Sequence, residues 1–214
     1  MTGYLRAPIA MPVTALNETI WHPMPVTDGA ASAELRGWLE EPGSLTARVR
    51  AAGKAVSVVL LGEGWVADGS RWQRQIWLCA DGEPLLWALS EASACSVALC
   101  PDLLAQGTKP IGDWLFAQGV QRRELAWARV QSPALAQVLA GWQMAPCSPL
   151  WGRRSVLSLP AATALSAPTA MALSVPTEMA LSVSTEMALS APTAMATLQL
   201  TELFLPGSGF YGIG

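Results

Sequence analysis

A carboxylate stands in the middle of an apolar run in Leu198-Gln-Leu-Thr-Glu-Leu-Phe-Leu-Pro206, at Glu202. Read as a strand, this run puts Glu202 on one face with Leu198, Leu200 and Phe204, because side chains alternate faces. A charge among leucines is expensive unless a cation or hydrogen-bond donors meet it. Upstream, Arg71-Trp-Gln-Arg-Gln-Ile-Trp-Leu78 holds a matching cation. By the same alternation Arg74 shares the face of Ile76 and Leu78. Arg74 is therefore the expected partner of Glu202. Opposite charges on the apolar sides of two strands make a small polar site on the concave face of a sheet. A structural salt bridge, or an edge strand facing water, accounts for the same pattern.

The elements that must carry these two residues follow from local signals. Residues 31–41 and 44–52 read as short helices. Ser44 is a good N-cap for the second, which leaves the amides of Leu45 and its neighbours as free donors suited to an anion. Val56–Trp65 reads as a strand. Arg71–Cys79 and Pro84–Ser90 form a hairpin, since Asp81-Gly82 supplies the positive φ of a tight turn. A helical stretch is expected around residues 98–106. In Gly107-Thr-Lys-Pro-Ile-Gly112, Pro110 fits the first turn of another helix, and Ile111 would present an unpaired N–H there. Lys109 adds a charge nearby, as a solvated lysine. Residues 125–130, 155–159 and 198–205 are further strands. Together these predict an α+β fold: a single antiparallel β-sheet with helices packed on one side.

Composition narrows the function. Half of the 214 residues are hydrophobic and the formal net charge is −3, so there is no general basic field for nucleic acid. Arg122-Arg123 and Arg153-Arg154 read as solvated strand ends or supports of the site. The four cysteines show no Cys-x-x-Cys spacing, and a single histidine, His22, makes a zinc cluster or a serine triad a poor reading. Glycine-rich nucleotide loops are missing. Ten tryptophans are scattered along the chain and read as packing residues. The N-terminus lacks the apolar run of a signal peptide, so a cytoplasmic protein is expected. Residues 1–30, rich in proline, read as a loose arm ahead of one domain over 31–214.

That domain is interrupted at about 161–197. Ala164–Met195 is four tandem octapeptides of the form Ala-Leu-Ser-(Ala/Val)-(Pro/Ser)-Thr-(Ala/Glu)-Met. Proline in three of the four blocks a continuous helix. The proline-free run is too short to span a bilayer, and it carries Glu178 and Glu186, so no stable membrane insertion is expected. The repeat reads as a duplicated surface loop, with a sticky partner surface as the second reading.

Six blocks occur in order: Gly43-Ser-Leu-Thr46, Arg71-Trp-Gln-Arg74, Leu78-Cys-Ala-Asp-Gly-Glu-Pro84, Gly107-Thr-Lys-Pro-Ile-Gly112, Leu150-Trp-Gly-Arg-Arg-Ser155 and Thr201-Glu-Leu-Phe-Leu-Pro206. This set resembles the chorismate pyruvate-lyases, which make 4-hydroxybenzoate for ubiquinone synthesis. The resemblance implies that Arg74 grips the ring carboxylate of chorismate and that the amides of Leu45 and Ile111 complete that anion site. It also implies that Glu202 faces the hydroxyl end. It implies elimination of pyruvate without metal or cofactor, since aromatisation drives the reaction, and a monomer with chorismate as its only partner. The chain departs from the family at Leu89, where an arginine is expected, and at the octapeptide insertion. Two other classes share the pattern: a non-enzymatic binding module for an aromatic carboxylate, and an inactive paralogue.

Overall fold

The computed structural model describes residues 10–144, 149–160 and 195–206. Among these residues seven strands form one antiparallel sheet: β1 (His22–Pro23), β2 (Val56–Trp65), β3 (Arg71–Ala80), β4 (Glu83–Ser93), β5 (Gln121–Val130), β6 (Leu150–Pro160) and β7 (Met195–Phe204). Their order across the sheet is β1-β5-β6-β7-β4-β3-β2. The long apolar runs of β3, β4, β6 and β7 occupy its middle, where both faces are covered and a continuous hydrophobic run is tolerated. The β3–β4 turn has positive φ at Asp81 and Gly82, as the Asp-Gly pair predicts.

Among the described residues five α-helices accompany the sheet: α1 (Ala33–Leu39), α2 (Leu45–Ala51), α3 (Ala94–Leu99), α4 (Ile111–Ala117) and α5 (Pro133–Gly141). On one face Leu35, Leu39, Leu45, Val49, Val97, Ile111 and Leu115 of α1–α4 pack against Trp72, Ile76, Leu78, Leu157, Leu198, Leu200 and Phe204. The segregation of helices is incomplete. Leu135, Val138 and Leu139 of α5 cover the other face, with Trp77, Trp87, Leu89 and Leu203. The helical stretch expected at 98–106 is divided: α3 ends at Leu99, and Pro101–Ala105 continues as a 3-10 turn. Cys100, with φ −142° and ψ 70°, separates the two because its backbone leaves the helical region.

Residues 10–30, expected as a loose arm, are tied to the sheet instead. Met11 is buried and exchanges two hydrogen bonds with the Gln75 amide, N–H to Oε1 at 2.8 Å and Nε2 to the carbonyl at 2.9 Å. Pairing of His22 with Trp127 makes the sheet's short edge strand. A tertiary partner, not local periodicity, orders this stretch.

Two irregularities matter for the site. In β5 the register with β6 jumps between Arg123 and Ala126, so Glu124 and Leu125 together oppose Ser155, with Glu124 at φ 51°. A bulge of this kind flips the facing of every residue on its far side. Further on, β6 ends and β7 begins at directly paired residues, Pro160 and Met195. The octapeptides, apart from Met195, lie outside the described residues. Among the described residues, no helix is long and apolar enough to cross a membrane.

Candidate active site

The helix-covered face encloses a cavity of about 30 Å³. Its floor is sheet: Ile76 and Leu78 of β3, Leu86 and Ala88 of β4, Leu200 and Glu202 of β7. Its roof is the start of two helices, Ser44–Thr46 at α2 and Pro110–Gly112 at α4. Arg122 and Phe116 close one side.

Both helix starts are built by their caps. Ser44 accepts a hydrogen bond from the N–H of Ala47, which leaves the N–H of Leu45, the first helical residue, without an intrahelical acceptor. Ile111 holds the same position in α4. Pro110 is the N-cap of α4 and stands just outside the turn where it was expected. The two helix starts touch: a Cβ added at Gly112 would lie 2.9 Å from Ser44 Oγ and 3.5 Å from Thr46 Oγ1, so only glycine allows the approach. An ion pair between Arg50 and Asp113 ties the same helices together.

The two expected site charges share the helix face, as alternation requires, but they do not pair. Arg74 faces Ser90 and then Leu200 across the sheet, whereas Glu202 faces Ala88. Two strand spacings and two residues of offset separate their Cα atoms by about 12 Å. The partner of Glu202 is Arg153, directly opposite on β6, with Nε 2.5 Å from Oε2. Arg153 is fully buried and also donates from Nη1 to the carbonyls of Glu41 at 2.8 Å and Trp38 at 3.3 Å. It belongs with the site; from the sequence it was read only as a solvated strand end or a support of the site, not as the partner of Glu202. Its place on the face of Trp151, Ser155 and Leu157 was readable by alternation; its pairing with Glu202 needed the strand order.

Arg74 lies beneath the loop that leads into α4 and does not line the cavity. Its Nη2 donates to the carbonyls of Gly107 at 2.6 Å and Lys109 at 2.9 Å. Its Nε and Nη1 are buried without an acceptor among the described residues. Burial draws its pKa below the usual arginine value, and Glu63, 3.9 Å away, opposes that. The buried guanidinium is pre-aimed and only part-satisfied.

Arg122 was expected as a solvated strand end or a support of the site. The β5 bulge turns it onto the helix face opposite Leu157, where it lines the cavity. Nε donates to the carbonyl of Pro42 at 3.0 Å, Nη2 to that of Gly43 at 3.2 Å, and Nη1 to Ser155 Oγ at 2.5 Å. Burial, reinforced by the charge of Arg153, lowers its pKa to about 10, with Glu202 and Glu41 opposing. Leu89 is buried on the opposite face, beside Trp77 and Trp87. It is no part of this cavity. Among the described residues no cluster of His, Cys, Asp and Glu could hold a metal ion.

The profile of the family described as Chorismate lyase matches residues 15–172. The chorismate pyruvate-lyase of Citrobacter koseri is 32% identical over 198 residues, covering 85% of this chain and 88% of that protein. A probable chorismate pyruvate-lyase of Shewanella sp. (strain W3-18-1) is 33% identical over 147 residues, covering 60% and 75%. The chorismate pyruvate-lyase of Shigella sonnei is 30% identical over 145 residues, covering 61% and 78%. Among solved structures, the effector domain of PhnF from Mycobacterium smegmatis gives a TM-score of 0.45 at 12% identity, covering 76% of this chain and 88% of that one. That last likeness carries no weight for the site. With the profile spanning most of the sheet and a relative aligned over nearly its whole length, the chain belongs to the chorismate lyase family.

Proposed function

We propose that the chain removes pyruvate from chorismate to give 4-hydroxybenzoate, and that it does so in the cavity under α2 and α4. The carrying observation is the polarity around that cavity: an apolar sheet floor, helix amides in its roof and Glu202, held by Arg153, in its wall, with Arg74 outside the lining beneath the loop that leads into α4. In this reading the ring carboxylate lies against the N–H groups of Leu45 and Ile111 and the unpartnered nitrogens of Arg74. A guanidinium suits such a carboxylate because two parallel N–H donors match its two oxygens. Glu202 accepts from the ring hydroxyl.

In the reaction, the bond between the ring carbon and the enolpyruvyl oxygen breaks and a hydrogen on the neighbouring, hydroxyl-bearing carbon leaves as a proton. The departing enolate takes up a proton to become pyruvate. Atoms and charge balance without an external oxidant, and aromatisation supplies the driving force. The chain's residues then act by positioning and by fixed electrostatics. Arg153 holds Glu202 in place, so the carboxylate is oriented before substrate arrives. About 30 Å³ is room for roughly two waters, so a ring enters only when α2 and α4 separate at the Ser44–Gly112 contact. Incubating the purified protein with chorismate and measuring pyruvate and 4-hydroxybenzoate in equal amounts tests the reading. Absence of both products ends it.

A further inference from the structure

We propose that Arg122 binds the second carboxylate of the substrate, the one on the enolpyruvyl group, and so lets the site favour substrate over product. This rests on the lyase reading and extends it. Chorismate is a dianion, whereas 4-hydroxybenzoate keeps only the ring carboxylate. The anion site at Leu45, Arg74 and Ile111 accounts for one charge. The other is carried on the carbon next to the hydroxyl-bearing one, and therefore on Glu202's side of the cavity. A second carboxylate beside Glu202 is repelled unless a cation meets it.

Among the described residues lining the cavity, Arg122 alone is positively charged. It stands close enough to Glu202 and Arg153 for each to move its pKa. Three of its five N–H donors are engaged, by Pro42, Gly43 and Ser155, which leaves one N–H on each terminal nitrogen. The backbone carbonyls and the Ser155 hydroxyl hold the guanidinium in one orientation, and Phe116 stacks on it with its centroid 5.5 Å away. Such a fixed fork loses little freedom on binding a carboxylate. Arg153 is less suited: its Nη2 has no acceptor among the described residues, but its Nε and Nη1 are committed to Glu202 and two carbonyls, and it does not line the cavity. When pyruvate leaves, the charge that Arg122 held leaves with it. The product is then retained only by the contacts at its ring carboxylate and hydroxyl.

The test compares wild type with Arg122→Gln in three measurements on the full chain: chorismate turnover, affinity for 4-hydroxybenzoate, and affinity for 3-(carboxymethoxy)-4-hydroxybenzoate. The last is a dianion that cannot eliminate pyruvate. Loss of a charge-assisted hydrogen bond predicts a fall of about 10- to 100-fold in kcat/KM and in dianion affinity, with 4-hydroxybenzoate affinity within about twofold of wild type. Arg122→Lys should recover part of the dianion preference. If both ligands weaken equally, Arg122 merely braces the Pro42–Gly43 loop and the proposal fails; it fails also if neither changes. A wild type that prefers the dianion but releases no pyruvate would overturn the lyase reading while leaving the role of Arg122 standing.

Discussion

The two ends of the site meet the problem of a buried charge in opposite ways. At one end Glu202 has its cation before any ligand arrives: Arg153 sits directly across from it and is itself held by the carbonyls of Trp38 and Glu41, with only its Nη2 left without an acceptor among the described residues. At the other, Arg74 has two carbonyl partners on one nitrogen and none on the other two among the described residues. The first end is a structural pair that also presents a carboxylate oxygen. The second is a cation kept short of acceptors, which is what an anion-binding residue requires. A buried pair costs much when halved and little when replaced whole. An under-satisfied cation contributes most when its ligand is bound.

That contrast predicts different losses at the two ends. Arg153→Ala should have the largest effect, removing about 3–5 kcal/mol of folding stability by stranding Glu202. The double change Arg153→Met with Glu202→Leu should recover most of it, since a packed apolar pair avoids the desolvation cost. Urea melts of the two variants measure the difference; equal losses would mean that the pair is not what stabilises this end. Arg74→Ala should instead leave stability within about 1 kcal/mol and cut kcat/KM for chorismate roughly 10- to 100-fold, with 4-hydroxybenzoate affinity falling in step. A change of less than twofold in both would remove Arg74 from the site.

The roof can be tested between these extremes. Gly112→Ala forces Ser44 Oγ away from a new methyl at 2.9 Å and so away from its capping bond to Ala47. A loss of about 1 kcal/mol is expected, with faster release of 4-hydroxybenzoate because α2 and α4 no longer close. Stopped-flow release rates unchanged from wild type would show that the contact does not gate the cavity.

A smaller effect follows from Arg122. Its pKa is lowered to about 10 in the folded chain, below the ordinary arginine value, so its charged form is disfavoured by folding. The penalty is fully present below pH 10 and is relieved as pH rises above about 10, because the folded chain then releases its proton first. The stability of wild type relative to Arg122→Gln should therefore rise between pH 9 and pH 11. A flat difference would show the guanidinium to be better solvated than its surroundings imply.

Smallest of all should be the consequence of removing residues 161–194 and joining Pro160 to Met195 through an Asn-Gly turn. These two residues are already paired across β6 and β7, and loop length adds only about 0.6 kcal/mol of closure entropy per doubling. Melts and chorismate turnover should match the full chain within about 1 kcal/mol and twofold. An unfolded or inactive product would make the octapeptides part of the core or the site.

Much of this molecule was legible in its amino-acid order. Alternation in Arg71–Leu78 and Leu198–Pro206 determined that Arg74 and Glu202 lie on the apolar face, because a strand has a period of two whatever it pairs with. Ser44 and Pro110 marked the starts of α2 and α4, because capping and the missing proline N–H are local effects. The Asp81-Gly82 turn followed from the sterics of positive φ. Tertiary structure alone decided which charges meet. Strand order set Arg153, not Arg74, opposite Glu202, and no local signal encodes which strands become neighbours. The β5 bulge reversed the facing of Arg122 relative to Trp127, and the burial of Met11 depended on an amide 64 residues away. Periodicity fixes a side chain's face relative to its own strand; its partner depends on the pairing of segments distant in sequence, which only the packed sheet supplies.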